Sequence, residues 1–297
     1  MKPSTDKLLL QFKALADPVR TRLVALCGVA ECSVSELTEV TGQSQPRISQ
    51  HLKQLCTVNL LERFKDGHFV YYRVRSTGED SATRRRLFAL LPNDEPQFRK
   101  DIDKLRAIRA DSEIIAAPVS EGDRLLHRAL VELTVARPLG DLLDIGCGQG
   151  RILKLLASRA HRAVGVDIDS DARRLARAEL LLAGTPNTSL RQGDMVSLPF
   201  DDNEFDTIIL DDVLGTAKDP AAVFAEAKRL LNDAGRVLVL ASVVDTEITV
   251  LRSQFAAWAA TASLRLSAPR PIPANNPYWL LAVATIADQT EHAPVAA

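Results

Sequence analysis

An apolar run, Leu142–Ile145, leads into Gly146-Cys147-Gly148-Gln149-Gly150 and then into a helical pattern starting near Arg151. Glycines at a strand–helix junction let the backbone turn sharply and approach a ligand, with the amides of the helix N-terminus facing it. The spacing is G-x-G-x-G; the dinucleotide fingerprint G-x-G-x-x-G would need glycine at Arg151. Seventeen residues beyond Gly150, a second apolar run, Ala163–Val166, ends in Asp167. A carboxylate at the end of a second strand can accept from both hydroxyls of a ribose. Two further runs, 191-RQGDM-195 and 205-FDTIILDD-212, carry acidic residues at or next to their ends. Asp211 or Asp212 could serve as a catalytic base, and each could equally be a polar residue at a strand end.

A second group of residues suits a polyanion. The stretch 33-SVSELTEVTGQSQPRISQHLKQL-55 reads as a helix, a turn at Gly42 and a second helix, a pattern that offers the second helix to a major groove. Gln43, Ser44, Gln45, Arg47, Ser49 and Gln50 crowd its first half and Lys53 follows, while Ile48, Leu52 and Leu55 form an inward stripe. Amide, hydroxyl and guanidinium groups in that position can meet phosphates and base edges. Arg63, Lys65, His68 and Arg73 fall on a hairpin built around Asp66-Gly67, which would lie along the DNA backbone. Taken alone, the pattern also fits a small helical domain whose polar face is merely solvated.

The elements that must position these groups follow from periodicity. Leu8, Leu9, Phe12 and Leu15 have helical spacing, and Asp17-Pro18 opens a second helix through Leu26. Ser33–Val40 and Gln45–Leu55 are the next helices, the latter with Ser44 as its cap; Leu61–Lys65 and Phe69–Val74 alternate as strands. Residues 76–81 are turn-like and Arg84–Leu91 is helical. Beyond the break at Pro92–Pro96, Phe98, Ile102, Leu105 and Ile108 form a stripe that must pack on the next domain or on a second subunit. From about residue 121, strands alternate with helices. The strands are Leu142–Ile145, Ala163–Val166, Ser189–Gln192, Thr207–Leu210, Arg236–Ala241, Leu264–Ser267 and Leu280–Ile286. That rhythm implies an open, mostly parallel sheet covered on both faces.

Composition bounds the possibilities. The 297 residues, 46% apolar and 25% charged, suit two modest globular domains and exclude collagen-like or wholly disordered chains. No apolar run approaches the roughly 20 residues of a bilayer span, and the charged N-terminus does not read as a signal peptide. Four cysteines without C-x-x-C spacing suit free thiols in a cytoplasmic protein. Residues 1–75 hold 11 Lys+Arg against 7 Asp+Glu, and the remainder 26 against 31. The basic front on a mildly acidic body points to the front as the part that meets nucleic acid.

The segments ALADPVRTRLVALC, SVSELTEVTGQSQPRISQHLKQL and LLERFKDGHFVYYRV resemble the winged-helix domain of ArsR-type bacterial repressors over about 70 residues. The resemblance implies a homodimer on a palindromic operator in double-stranded DNA, with terminal helices, here Leu8–Leu15 and Arg84–Leu91, at the interface. Many such repressors hold a metal through two cysteines in an E-L-C-V-C-D-L run; this chain reads 31-ECSVSEL-37, with Ser33 and Ser35 at those places, and no metal is expected.

The glycine loop, Asp167, 191-RQGDM-195 and 205-FDTIILDD-212 together resemble the class I S-adenosylmethionine-dependent methyltransferase fold over residues 121–287. That resemblance implies a Rossmann-like α/β domain with a seven-stranded, mostly parallel sheet. It places Gly146, Gly148 and Gly150, with Cys147, around a methionine tail, and Asp144 in support of the loop and the ligand ammonium. It assigns Asp167 and neighbouring Ile168 to the ribose, Asp194 and Met195 to adenine, and Leu210 and Asp211 to the vicinity of the sulfonium. The chain as a whole resembles ArsR–methyltransferase fusions, divided into 1–80 (winged helix), 81–120 (helical connector), 121–287 (adenosyl-binding domain) and 288–297 (tail). Many such fusions carry histidines and aromatics on the acceptor side; 211-DDVLGTAKDP-220 has neither. The expected function is therefore a DNA-binding regulator that senses S-adenosylmethionine or S-adenosylhomocysteine. Alternatives are an active small-molecule methyltransferase with an autoregulatory DNA-binding domain, and a metalloregulator with a vestigial rear domain.

Overall fold

A computed structural model describes residues 5–67, 69–75, 80–92, 94–110, 120–243 and 247–286. His68, most of the turn at 76–81 and the tail at 288–297 lie outside the described residues. Contacts divide the chain into two units, Met1–Ala116 with Arg174–Ser189, and Ala117–Arg173 with Leu190–Ala297.

The front unit begins with α1 (Thr5–Leu15) and α2 (Pro18–Val29). Asp17 caps α2 by accepting from the Arg20 amide, with Pro18 fixing the first helical φ. A two-residue strand, β1 (Cys32–Ser33), precedes α3 (Val34–Thr41). Ser33 and Glu36 close a capping box at the start of α3, and Gly42, at φ 68°, ends it in the left-handed region. The reversal at Gly42 delivers α4 (Gln45–Thr57), whose Ile48, Leu52 and Leu55 are fully buried. The hairpin β2 (Leu61–Asp66) and β3 (Phe69–Val74) follows, and β1 pairs with β3 to give the order β1-β3-β2. Helices α5 (Ser81–Ala89) and α6 (Pro96–Ala110) complete this part.

The stripe on α6 packs on the front unit's own core: Leu105 is fully buried, and Ile102 and Ile108 lie against the cluster that holds Leu23, Leu37 and Leu52. Arg22 of α2 grips Asp101 of α6 with two hydrogen bonds, at 2.6 and 2.8 Å. The segment that reads as a connector is thus part of the winged-helix body, because its apolar stripe matches the back of α2 and α3.

The rear unit opens on α7 (Glu121–Ala136), capped by Ser120. The chain continues through β4 (Asp141–Ile145), α8 (Arg151–Leu156), β5 (Arg162–Asp167), α9 (Ser170–Leu182), β6 (Thr188–Gln192) and β7 (Phe205–Asp211), of which Arg174–Ser189 belongs to the front unit. Then come α10 (Pro220–Leu230), β8 (Leu231–Ser242), α11 (Ile248–Thr261), β9 (Leu264–Leu266), β10 (Arg270–Ile272) and β11 (Trp279–Ile286). The sheet order is β10-β11-β8-β7-β4-β5-β6, with β9 also on β11. Strands β5, β4, β7 and β8 run parallel, and β11 is antiparallel to β8. The sheet has eight strands where the sequence suggests seven. The extra one is β10, which pairs with Trp279–Leu281 while β9 pairs with Ala284–Ile286, so the two share one edge of β11. Strand order reverses at β4, which lies between β5 and β7. A crevice at the carboxyl ends of strands is the expected ligand site at such a switch point. Phe205, Ile208, Val237, Val239 and Phe224 form the core that holds these strand ends in place.

Candidate functional site

A cavity of about 250 Å³ opens at this switch point. It is lined by Ile145 and Gly146 after β4, Val166, Asp167 and Ile168 after β5, Gly193, Asp194 and Met195 after β6, and Asp211, Asp212, Val213 and Thr216 after β7. Three parallel strands therefore bring Gly146, Asp167 and Asp211 together, as do Ile168, Asp194 and Met195 from the loops beside them. Gly146 has φ 73°, and a Cβ there would stand 2.5 Å from a methyl of Val213, so only glycine closes this turn. The Gly146 and Cys147 amides both donate to the Val166 carbonyl, at 2.7 and 2.9 Å. The Gly148 amide reaches the Asp167 carboxylate, and Gly150, at φ 77°, starts α8.

Other expected contacts lie elsewhere. Leu210 is fully buried in the sheet core and does not line the cavity, because alternate residues of β7 face opposite sides. Cys147, Gly148 and Gly150 belong to the loop but not to the cavity wall. Asp144 lies beneath the loop, 1% exposed, with Oδ1 lacking a hydrogen-bond partner. Burial pushes its carboxyl well above the usual Asp range; Asp211 and Asp167 push the same way, against Arg151.

The candidate base Asp211 is occupied. Arg151 Nη2 donates to both its carboxylate oxygens, at 2.7 and 2.8 Å. Arg151 Nη1 donates to Asp123 of α7 at 2.7 Å, and the guanidinium lies 4.7 Å from the Trp279 ring centroid. Burial raises the Asp211 carboxyl above its ordinary value despite Arg151, with Asp212 and Asp123 adding to the rise. Asp212, at φ 55°, is held by the amide and hydroxyl of Ser242. Trp279 comes from β11, and burial lowers the proton affinity of His127 of α7, with the charge of Arg151 adding to the fall against Asp123.

On the front unit, Ser44, Gln45, Arg47, Ser49, Gln50 and Lys53 of α4 are all exposed, and Gln43 is half-buried. Ser44 occupies the cap position of α4 but makes no side-chain capping bond. Arg63 and Lys65 are exposed on β2. Arg73 is not free: it pairs with Glu62 and with Glu31, and lies 5.0 Å from the Phe64 ring centroid. The antiparallel register puts Glu62 directly opposite Arg73, which is why the hairpin spends this cation on its own sheet.

Residues 17–63 match the family model described as bacterial regulatory protein, arsR family, and residues 143–239 match the methyltransferase domain. The chain joins an arsR-family helix-turn-helix domain to a methyltransferase domain. Nocamycin O-methyltransferase of Saccharothrix syringae is 35% identical over 117 residues, covering 38% of this chain and 42% of that protein. The ubiquinone/menaquinone biosynthesis C-methyltransferase UbiE of Burkholderia mallei is 36% identical over 122 residues, covering 39% and 50%. The chain thus spans half or less of the length of these relatives. Among solved structures, a SAM-dependent methyltransferase from Aquifex aeolicus is similar with a TM-score of 0.49 at 14% identity, over 61% of this chain and 98% of that one.

The arsR-type unit also contains a buried charge cluster that sequence reasoning missed. Arg177 lies on the part of α9 that belongs to this unit. Its guanidinium meets Glu31 at 3.0 Å and Asp66, at the base of the wing turn, at 2.6 Å, and lies 4.1 Å from the Tyr71 ring centroid. Arg109 of α6 adds bonds to the Glu36 carboxylate, the Glu31 carbonyl and the Arg177 carbonyl. All of Glu31, Asp66, Arg109 and Arg177 are buried. Among the described residues no group of three or more His, Cys, Asp or Glu side chains is placed to hold a metal ion, and no helix is long and apolar enough to cross a membrane.

Proposed function

We propose that the chain is a DNA-binding transcriptional regulator whose methyltransferase-fold unit binds S-adenosylmethionine or S-adenosylhomocysteine as a signal. The clamped acids carry the reading. Both base candidates, Asp211 and Asp212, are engaged with Arg151 and Ser242, while the residues that would bind a nucleoside line an open cavity. A site built for binding but with its bases tied suits a sensor better than a catalyst. In this reading Gly146, Cys147, Gly148 and Gly150 shape the bed of the methionine tail. Asp144 faces its ammonium, Asp167 and Ile168 hold the ribose, and Asp194 and Met195 take adenine.

Gln45, Arg47, Ser49, Gln50 and Lys53 meet the operator through α4, with Arg63 and Lys65 on the phosphates. Exposed Leu9, Leu10, Phe12 and Leu90 on and beside the terminal helices support a homodimer. Ligand must bind the DNA-competent and DNA-incompetent states with different affinity, since otherwise occupancy shifts nothing. Operator affinity measured with and without each adenosyl compound tests the proposal: ligand-dependent affinity without turnover is the expected result, and turnover with unchanged DNA affinity overturns it.

A second reading, an active small-molecule methyltransferase with an autoregulatory DNA-binding domain, is favoured by the raised proton affinity of Asp211 and by the O- and C-methyltransferases among the relatives. Turnover of labelled S-adenosylmethionine with an acceptor decides between the two.

A further inference from the structure

The reading helix α4 is anchored by its own buried stripe, but the wing is a two-stranded ribbon, and such a ribbon is marginally stable by itself. Side chains alternate along β2. Arg63 and Lys65 are exposed, whereas the Asp66 side chain is 3% exposed although it stands next to the turn at Gly67. Phe64 stacks with Tyr71 across the hairpin, ring centroids 5.9 Å apart. Arg177 lies against this inner face. Its guanidinium pairs with Asp66 at 2.6 Å and Glu31 at 3.0 Å, and lies 4.1 Å from the Tyr71 ring centroid and 6.0 Å from that of Phe64. Glu31 also takes Arg73 of β3, so both strands of the hairpin lead to one buried carboxylate. Arg177 is itself fixed: its carbonyl accepts from Arg109 of α6 at 3.0 Å, and Leu181, one turn on, is buried in the core with Leu23, Leu37 and Leu52.

We propose that Arg177 is a positioning residue for DNA reading, holding the wing so that Arg63 and Lys65 meet the phosphates. This rests on the regulator reading above. It extends the DNA reader beyond the front of the chain to Arg174–Ser189, a segment of the front unit that follows the glycine loop and Asp167 in sequence. Successive side chains of a strand point to opposite faces, so holding Phe64 and Asp66 on one face fixes the direction of Arg63 and Lys65 on the other. A guanidinium suits the task. Its planar fork serves two carboxylates while its face lies on a ring, which the compact ammonium of a lysine cannot do at once. Arg177 touches no DNA in this role; its effect reaches the phosphates only through the hairpin.

Fluorescence anisotropy of the full chain on a DNA duplex of random sequence, measured across a salt series, tests this, because phosphate contacts are independent of sequence and set the salt slope. In wild type, Arg63→Ala together with Lys65→Ala should make the slope shallower by about two, one for each cation lost. In an Asp66→Asn background, where Arg177 keeps Glu31, the same pair should change the slope by less than about one. Arg177→Lys should give an intermediate value, and it serves if Asp66→Asn does not fold. Arg47→Ala with Lys53→Ala on α4 is the control: its effect should be the same in wild-type and Asp66→Asn chains. Equal slope changes for the wing pair in both backgrounds overturn the role of Arg177. So does loss of the α4 effect together with the wing effect, which marks a general loosening of the reader. A wild type that binds neither this duplex nor DNA from its own promoter overturns the DNA-binding reading, and this inference with it.

Discussion

The backbone amide of Gly148 donates to Oδ2 of Asp167 at 2.8 Å, tying the glycine loop to the carboxylate at the end of the neighbouring strand. The Asp169 amide takes the other oxygen, Oδ1, at 2.9 Å. The carboxylate is thus aimed before any ligand arrives. Asp167→Ala should weaken adenosyl binding by about 1.5–3 kcal/mol, the range for a hydrogen bond to a charged group. Titration calorimetry with S-adenosylhomocysteine on wild type and variant measures the loss. An unchanged dissociation constant would take Asp167 out of the site.

Arg47 and Arg73 look alike in sequence and should behave differently. Arg47 is exposed on the first half of α4, whereas Arg73 pairs with Glu62 and Glu31. Arg47→Ala should weaken operator binding by about 1–3 kcal/mol if it reads a base; if it touches only phosphate, the loss should be equal on random DNA and the salt slope shallower by about one. Arg73→Ala should lower thermal stability more than it changes the salt slope. A salt slope that drops for Arg73→Ala as it does for Arg47→Ala would contradict the pairing.

Arg177 balances two buried carboxylates, Glu31 and Asp66. Removing it by Arg177→Met should cost about 3–5 kcal/mol, because taking away one partner of a buried ion pair is strongly destabilising. Adding Glu31→Gln and Asp66→Asn to that variant should recover much of the loss. Denaturant unfolding of the single and triple variants gives the comparison, and a single variant as stable as wild type would mean that the cluster is solvated.

Asp144 should set a pH dependence. Its folded value is raised above the ordinary 3.8, chiefly by burial, with Asp211 and Asp167 facing it and Arg151 opposing them. Its contribution to stability is therefore full below pH 3.8 and is lost as pH rises through the folded value. Asp144→Asn cannot ionise, so its melting temperature relative to wild type should climb from pH 4 toward pH 8. Parallel melting profiles across that range would show that Asp144 does not titrate in the fold.

What was legible in the sequence is what is local. The loop from Gly146 to Gly150 and Asp167 could be read from spacing, since adjacent parallel strands bring equivalent ends together. The α4 face could be read from the buried stripe of Ile48, Leu52 and Leu55. Leu210 is next to Asp211 in sequence but packs in the sheet core, because strand alternation decides its face. Arg151 had one available signal, its place directly after Gly150; that it would lie over Trp279 depends on β11 folding back beside β8, which no local pattern encodes. Arg177 is one of several charges on α9, and nothing in the local sequence singles it out. Its partners, Glu31 and Asp66, are fixed only by tertiary packing.

The placement of Arg177 has a consequence for biosynthesis. Synthesis proceeds from the N-terminus, and domains made first generally fold first. Here the wing, the reading helix and α6 all leave the ribosome before Arg177, which joins Glu31 and Asp66, because Arg177 and the rest of Arg174–Ser189 come after the glycine loop and Asp167. The nascent DNA reader therefore reaches its final electrostatic balance only once the chain already carries the core of its ligand loop.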